Sequence, residues 1–124
     1  MKSSDFRELK VWQKSMDLTI EVYSLVKSLP REELYGLSDQ MRRAAVSVPS
    51  NIAEGEGRNS EKDFVRFLAQ ARGSLWELSA QLDICERLNY LDKQKTEVAH
   101  GMIIEIGKMI NSLSSSILSR QNNS

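Results

Sequence analysis

Histidine and cysteine each occur once in the 124-residue chain, proline occurs twice, and aromatic residues make up only 6%. Neither sign of charge is in excess, because Lys+Arg and Asp+Glu are both 17. No window approaches 18 uncharged apolar residues. Each shortage excludes something. A lone cysteine, Cys85, cannot form an intrachain disulfide. It lies in the apolar register of a helix, where a free cysteine behaves as a small hydrophobe. Zero net charge argues against bulk attraction to nucleic acid, although a local basic patch remains compatible with it. Without a long apolar run there is no membrane-spanning helix. The start, MKSSDFRELKVW, has no apolar h-region, so a cytoplasmic protein without a membrane partner is expected. At 40% hydrophobic and 27% charged, the chain is neither disordered nor fibrous. Its length suits one domain with one core.

Apolar spacing divides the chain into four helices. Residues 1–9 form an arm that Phe6 and Leu9 dock. The first helix is expected from Lys10 to Ser28, with one stripe through Trp12, Thr19, Val22, Val26 and Leu29. Val11, Leu18 and Leu25 form a second stripe beside it, which implies cover on two sides. Pro30 stops this helix through its effect on Leu29. Ser38 is expected to cap a second helix over Asp39–Glu54, ended by Gly55 and Gly57. Pro49 falls inside that apolar pattern, so the helix is expected to kink there; two short helices are the alternative.

Ser60 and Asp63 resemble a capping box that opens a third helix, Glu61 to about Leu88. Its seam, from Phe64 through Leu68, Ala71, Leu75, Leu78 and Leu82 to Cys85, steps by four and three throughout. Gly73 and Ser74 interrupt it, which predicts a close neighbouring helix. Val65, Ala69, Trp76 and Ile84 lie off the seam and point to a second buried face. Asp92 caps a fourth helix, Lys93 to about Leu118, in which Gly101 and Gly107 again predict close packing. Residues 119–124 read as a flexible polar tail. Short connections make neighbours antiparallel, so residues 10–118 are expected to form an up-down-up-down four-helix bundle.

Catalytic chemistry finds little to work with. One Glu-x-x-His spacing occurs, Glu97–His100, whereas a di-metal bundle site needs two such pairs and inward glutamates. Gly55 and Gly57 lack the Gly-Lys-Ser/Thr of a P-loop. No nucleophile has a supported His–Asp pair. A non-enzyme without metal or cofactor is therefore expected.

The polar stretch QMRRAAVSVPSNIAEGEGRNS, residues 40–60, carries the remaining signal. Arg42, Arg43 and Arg58 lie in it, and Arg66 and Arg72 follow on the next helix. A guanidinium cluster can grip phosphates bidentately. The same arginines can instead pair with Asp39, Glu54, Glu56 and Glu77. Asn51 is placed to satisfy a carbonyl freed at Pro49.

Three segments, LKVWQKSMDL, QMRRAAVSVPSNIAEGEGRNS and FVRFLAQARGSLWEL, resemble bacterial four-helix-bundle proteins known as 23S rRNA intervening-sequence proteins, or S23 ribosomal protein-like. The resemblance spans about Phe6 to Leu118. It implies an antiparallel four-helix bundle and a ring-shaped homopentamer. It also implies a link to sequences inserted in 23S rRNA genes, and similarity to a retroelement accessory protein that binds nucleic acid and a reverse transcriptase. Carried over by position, the motif residues are Arg42, Arg43, Pro49, Asn51, Glu54, Gly55, Arg58, Gly73, Ser74 and Glu77. RNA or DNA, or a protein partner, is the implied ligand. A scaffold ring without nucleic acid is the alternative.

Overall fold

A computed structural model describes residues 5–122, with side chains to residue 121. Four helices follow in order: α1 (Lys10–Val26), α2 (Leu37–Glu56), α3 (Glu61–Arg87) and α4 (Lys93–Asn122). Single 3-10 turns at Phe6–Glu8 and Arg31–Glu33 precede α1 and α2. Each helix packs on its chain neighbours, and α4 closes the square against α1, while among the described residues no diagonal pair of helices brings backbones within 8 Å. Short connections and this cyclic adjacency make the antiparallel up-down-up-down bundle.

The core is built from the expected stripes of α1 and α3 together with the apolar faces of α2 and α4. Leu18, Val22, Met41, Val48, Ile52, Leu68, Leu75, Leu78, Leu82, Ile106, Ile110 and Ile117 are fully buried. Burying one such side chain contributes about 1.5–3 kcal/mol. Both stripes of α1 turn inward within this chain, since Val11, Leu18 and Leu25 are buried along with Val22 and Val26. The arm docks as expected: the Phe6 and Trp12 rings meet edge to face at 5.3 Å, and Leu9 packs on the core. Residues 1–4 of that arm lie outside the described residues.

The third helix departs from expectation on its outer side. Val65 is partly buried against the core, but Trp76 is 57% exposed and Ile84 and Ala69 are also exposed, so most of the second apolar face is not covered by this chain. A Cβ added at Gly73, Gly101 or Gly107 would meet nothing within 4 Å, so these glycines admit no close helix. Gly73→Ala is therefore expected to raise stability by about 1 kcal/mol, the helix-propensity difference. Its urea midpoint should increase; a decrease would show that the assembled protein fills that space.

Helix ends differ from the expected ones where side-chain capping differs. Ser38 lies inside α2 and does not cap it; Gly36 holds that position without a capping side chain. The Glu33 carboxylate takes over by accepting the Leu37 N–H at 3.1 Å. Gly55 is interior to α2, and Gly57 ends it. Ser60 caps α3 as expected, its Oγ accepting the Asp63 N–H at 3.2 Å. Asp92 likewise accepts the Lys95 N–H at 2.9 Å. Between α3 and α4, Asn89 adopts φ 61°, the Tyr90 N–H reaches the Cys85 carbonyl at 2.9 Å, and the Asn89 N–H reaches Glu86 at 3.1 Å. These paired bonds form a Schellman turn. At its far end α4 continues to Asn122, past the expected stop at Leu118, and Arg120 donates to Glu61 at 2.8 Å. Residues 123–124 of the expected tail lie outside the described residues.

The chain stays helical through Pro49, which excludes two short helices. Continuity establishes one helix, not a kink. Proline lacks the N–H that would bond the Ala45 carbonyl. Asn51 does not serve that carbonyl; its amide donates to Ser47, at 2.8 Å to the backbone and 2.9 Å to Oγ. The Thr19 hydroxyl of α1 serves it instead, at 3.2 Å, while also lying 2.8 Å from the Ser15 carbonyl.

Candidate nucleic-acid interface

The arginines do not gather in one place. Arg42 and Arg58 are sixteen residues apart, about 24 Å along a helix axis at 1.5 Å per residue. They belong to two groups with different surroundings.

The first group lies near the start of α2. Asp39 sits one turn before both arginines, so its carboxylate reaches Arg43 Nε at 2.9 Å and Arg42 at 4.0 Å. Arg42 also donates to the Leu34 carbonyl at 3.3 Å. One carboxylate thus serves two guanidiniums, and the Arg43 side chain is 79% exposed. Both arginines line an open depression of about 420 Å³ with Tyr23, Asp39, Val46 and Ser47. Arg42 and Tyr23 also line an adjoining cleft of about 510 Å³ that includes Lys27, Arg31 and Leu34. Lys27, Arg31 and Tyr23 were not singled out from the sequence. Tyr23 and Lys27 stand four apart, one α-helical turn, and that spacing was the available signal.

The second group forms the corner between α2 and α3. Arg58 and Arg66 lie over the Phe67 ring, at 5.0 and 4.7 Å from its centre. Each has its own carboxylate: Glu54 at 2.8 Å from Arg58, and Asp63 at 3.4 Å from Arg66. Gly55 lets α3 approach, since a Cβ there would stand 2.7 Å from Phe67 Cβ. A hydroxyl pair, Ser47–Ser74 at 2.8 Å, adds a second tie between the helices. Pairing with Asp39 and Glu54 thus follows the structural reading of the arginines. Glu77 instead receives a 3.5 Å contact from Gln81, and Arg72 donates to Asn111 at 2.8 Å.

The lone histidine has partners that sequence spacing did not show. His100 Nε2 lies 3.0 Å from Glu86 and 3.5 Å from Asp83, both on α3, whereas Glu97 is exposed. Thr96 donates to the same Glu86 oxygen at 2.7 Å. These hydrogen bonds, first from Thr96 and then from His100, hold the Glu86 carboxyl below its usual range. Cys85 is fully buried. Burial, reinforced by the Glu33 and Glu86 charges, pushes its thiol up to about 11, which keeps it unreactive.

A family model described as 23S rRNA-intervening sequence protein matches residues 7–112. The chain belongs to the 23S rRNA-intervening sequence protein family. The match takes in all of α1 to α3, both arginine groups and most of α4. A crystal structure of a protein with unknown function from the S23 ribosomal protein family of Bacteroides thetaiotaomicron VPI-5482 is similar to this chain. Its TM-score is 0.78 at 28% identity, covering 84% of this chain and 97% of that one. No curated protein matches the chain. Among the described residues, no helix is long and apolar enough to cross a membrane.

Proposed function

We propose that this 23S rRNA-intervening sequence protein is a non-enzymatic, oligomeric binding protein that takes up RNA or other nucleic acid at the Arg42–Arg43 end of the bundle. The observation that carries the reading is the sharing of Asp39 by two guanidiniums beside Tyr23, with Lys27 and Arg31 on the adjoining cleft. Cations that track a phosphate backbone beside an aromatic ring suit a single strand, because the bases can stack while the phosphates pair. Arg58 and Arg66 contribute less to this surface, since each is matched by a carboxylate and laid on Phe67.

A homopentameric ring is the assembly we propose. Its support is the apolar surface left on the outer sides of the helices, where Ile20 is 67% exposed and Trp76, Val98 and Ile104 are each more than half exposed. The mass in solution tests it, and a monomer would sink the ring. A cytoplasmic location suits a single buried, unpaired cysteine.

Binding is tested by anisotropy of labelled single-stranded RNA across a salt series. Arg42→Ala/Arg43→Ala is expected to weaken binding and to reduce the slope of log K against log salt by about 1.4, two contacts at roughly 0.7 each. No binding at low salt, or an unchanged double variant, ends this reading. A stable ring with no salt-dependent binding would instead favour a protein-interaction scaffold. Net charge zero keeps that second reading open, because it removes the long-range attraction that most nucleic-acid proteins use.

A further inference from the structure

We propose that Asp83, Glu86 and His100 form a binding site for one divalent first-row transition-metal ion, such as Zn²⁺, that staples α3 to α4. The proposal is independent of the nucleic-acid reading, because these residues lie on different helices from Arg42 and Arg43.

Three donors converge from two helices. Asp83 and Glu86 are three apart on α3, so one helical face presents both carboxylates. His100 projects Nε2 between them from α4, and one donor atom from each residue lies within 4.8 Å of the others. The separations from Nε2 are 3.0 Å to Glu86 and 3.5 Å to Asp83. A metal bonded at about 2.0–2.1 Å holds neighbouring ligands about 2.9 Å apart at right angles and about 3.4 Å apart at tetrahedral angles. These separations therefore approximate coordination edges.

Beyond the His–Glu hydrogen bond, Asp83 brings a third donor atom to 3.5 Å from Nε2. Thr96 steadies the same Glu86 oxygen at 2.7 Å, with its hydroxyl also 3.1 Å from the Lys93 carbonyl. Metal-ligating carboxylates are commonly steadied by such an outer hydrogen bond. The ion would take the place of the proton between Nε2 and Glu86, which passes to solvent from an imidazolium or to Nδ1 of a neutral imidazole. Asp83, with its side chain 65% exposed, supplies the entry path, and water fills the remaining positions. One imidazole and two carboxylates suit a borderline ion; Mg²⁺, which favours all-oxygen octahedra, should compete poorly.

The test is a Zn²⁺ titration of the full chain against a chromogenic chelator, paired with thermal unfolding and with Co²⁺ absorption spectra. One ion per chain is expected, with a Tm that rises as Zn²⁺ is added. His100→Gln keeps a donor for Glu86 and should abolish stoichiometric binding and the Co²⁺ ligand-field bands. Asp83→Asn changes an exposed side chain, so it should weaken binding with the fold intact. Thr96→Val should weaken it roughly tenfold or more through loss of the outer hydrogen bond. Absence of a one-to-one complex in the parent overturns the proposal. So does binding that His100→Gln and Asp83→Asn both leave unchanged.

Discussion

Gly55→Ala is expected to destabilise the chain by about 2 kcal/mol, although alanine is the better helix former. The new Cβ would stand 2.7 Å from Phe67 Cβ, 3.0 Å from Phe64 Cδ1 and 3.5 Å from Phe64 Cα. Neither Cβ nor Cα can swing aside, because both are fixed by the backbone of α3. The helices must move apart, and overpacking of this kind costs about 1–3 kcal/mol or more. Phe67 Cβ, which the backbone fixes 2.7 Å away, places Gly55 at the upper end, and the roughly 1 kcal/mol gained in helix propensity offsets only part. The movement would also loosen the Arg58 and Arg66 contacts with Phe67, which sit on the same corner. The expected fall in Tm is roughly 5–10 °C for a chain of this size. Thermal and urea unfolding followed by circular dichroism give the answer. A variant as stable as its parent would show that α2 and α3 are not held at this distance. Gly73→Ala is the internal control, since the same substitution there meets open space.

The contrast between those two glycines shows where sequence reasoning stops. From the sequence Gly55 reads as the end of the second helix and Gly73 as a close-approach site, whereas Gly55 is interior to α2 and is the one that another helix approaches. The facing residue separates them: Phe67 stands over Gly55, and nothing stands over Gly73. Seam positions such as Leu68, Leu75 and Leu82 were legible because periodicity alone carries a helix's buried face. The outer residues Trp76 and Ile84 were not, because spacing reports a second apolar stripe without saying which molecule covers it. For α1 that stripe turned inward; for α3 it faces out.

The candidate site was legible in the same uneven way. Asp39, Arg42 and Arg43 are local, so their pairing follows from one helical turn. Lys27 and Arg31 reach the adjoining cleft only because α1 packs beside α2. His100 was read against Glu97, its neighbour in sequence, yet its partners Asp83 and Glu86 arrive from another helix. Side chains that meet across the Asn89 turn leave no mark on either helix's own pattern.

The α1–α2 contact makes the last expected result a coupling. Thr19→Val should cost about 1–3 kcal/mol, the range for leaving a buried acceptor without a donor. The acceptor is the Ala45 carbonyl, whose helical partner is missing because residue 49 is proline. Thr19 is nearly buried, and valine matches its shape, so packing changes little. The Ser15 carbonyl loses a contact from the same hydroxyl but keeps its position in the α1 ladder. A double-mutant cycle with Pro49→Ala separates the two roles. Alanine restores an N–H at position 49, and the Ala45 carbonyl regains a partner inside α2. In that background Thr19→Val should cost less than half as much, giving a coupling of about 1 kcal/mol. The effect of Pro49→Ala alone mixes a regained helical bond with a lost buried ring, but the cycle cancels both. Equal costs of Thr19→Val in the two backgrounds would assign the hydroxyl's value to Ser15. A coupling near the expected size would establish that one helix tolerates its interior proline because its neighbour supplies the missing donor.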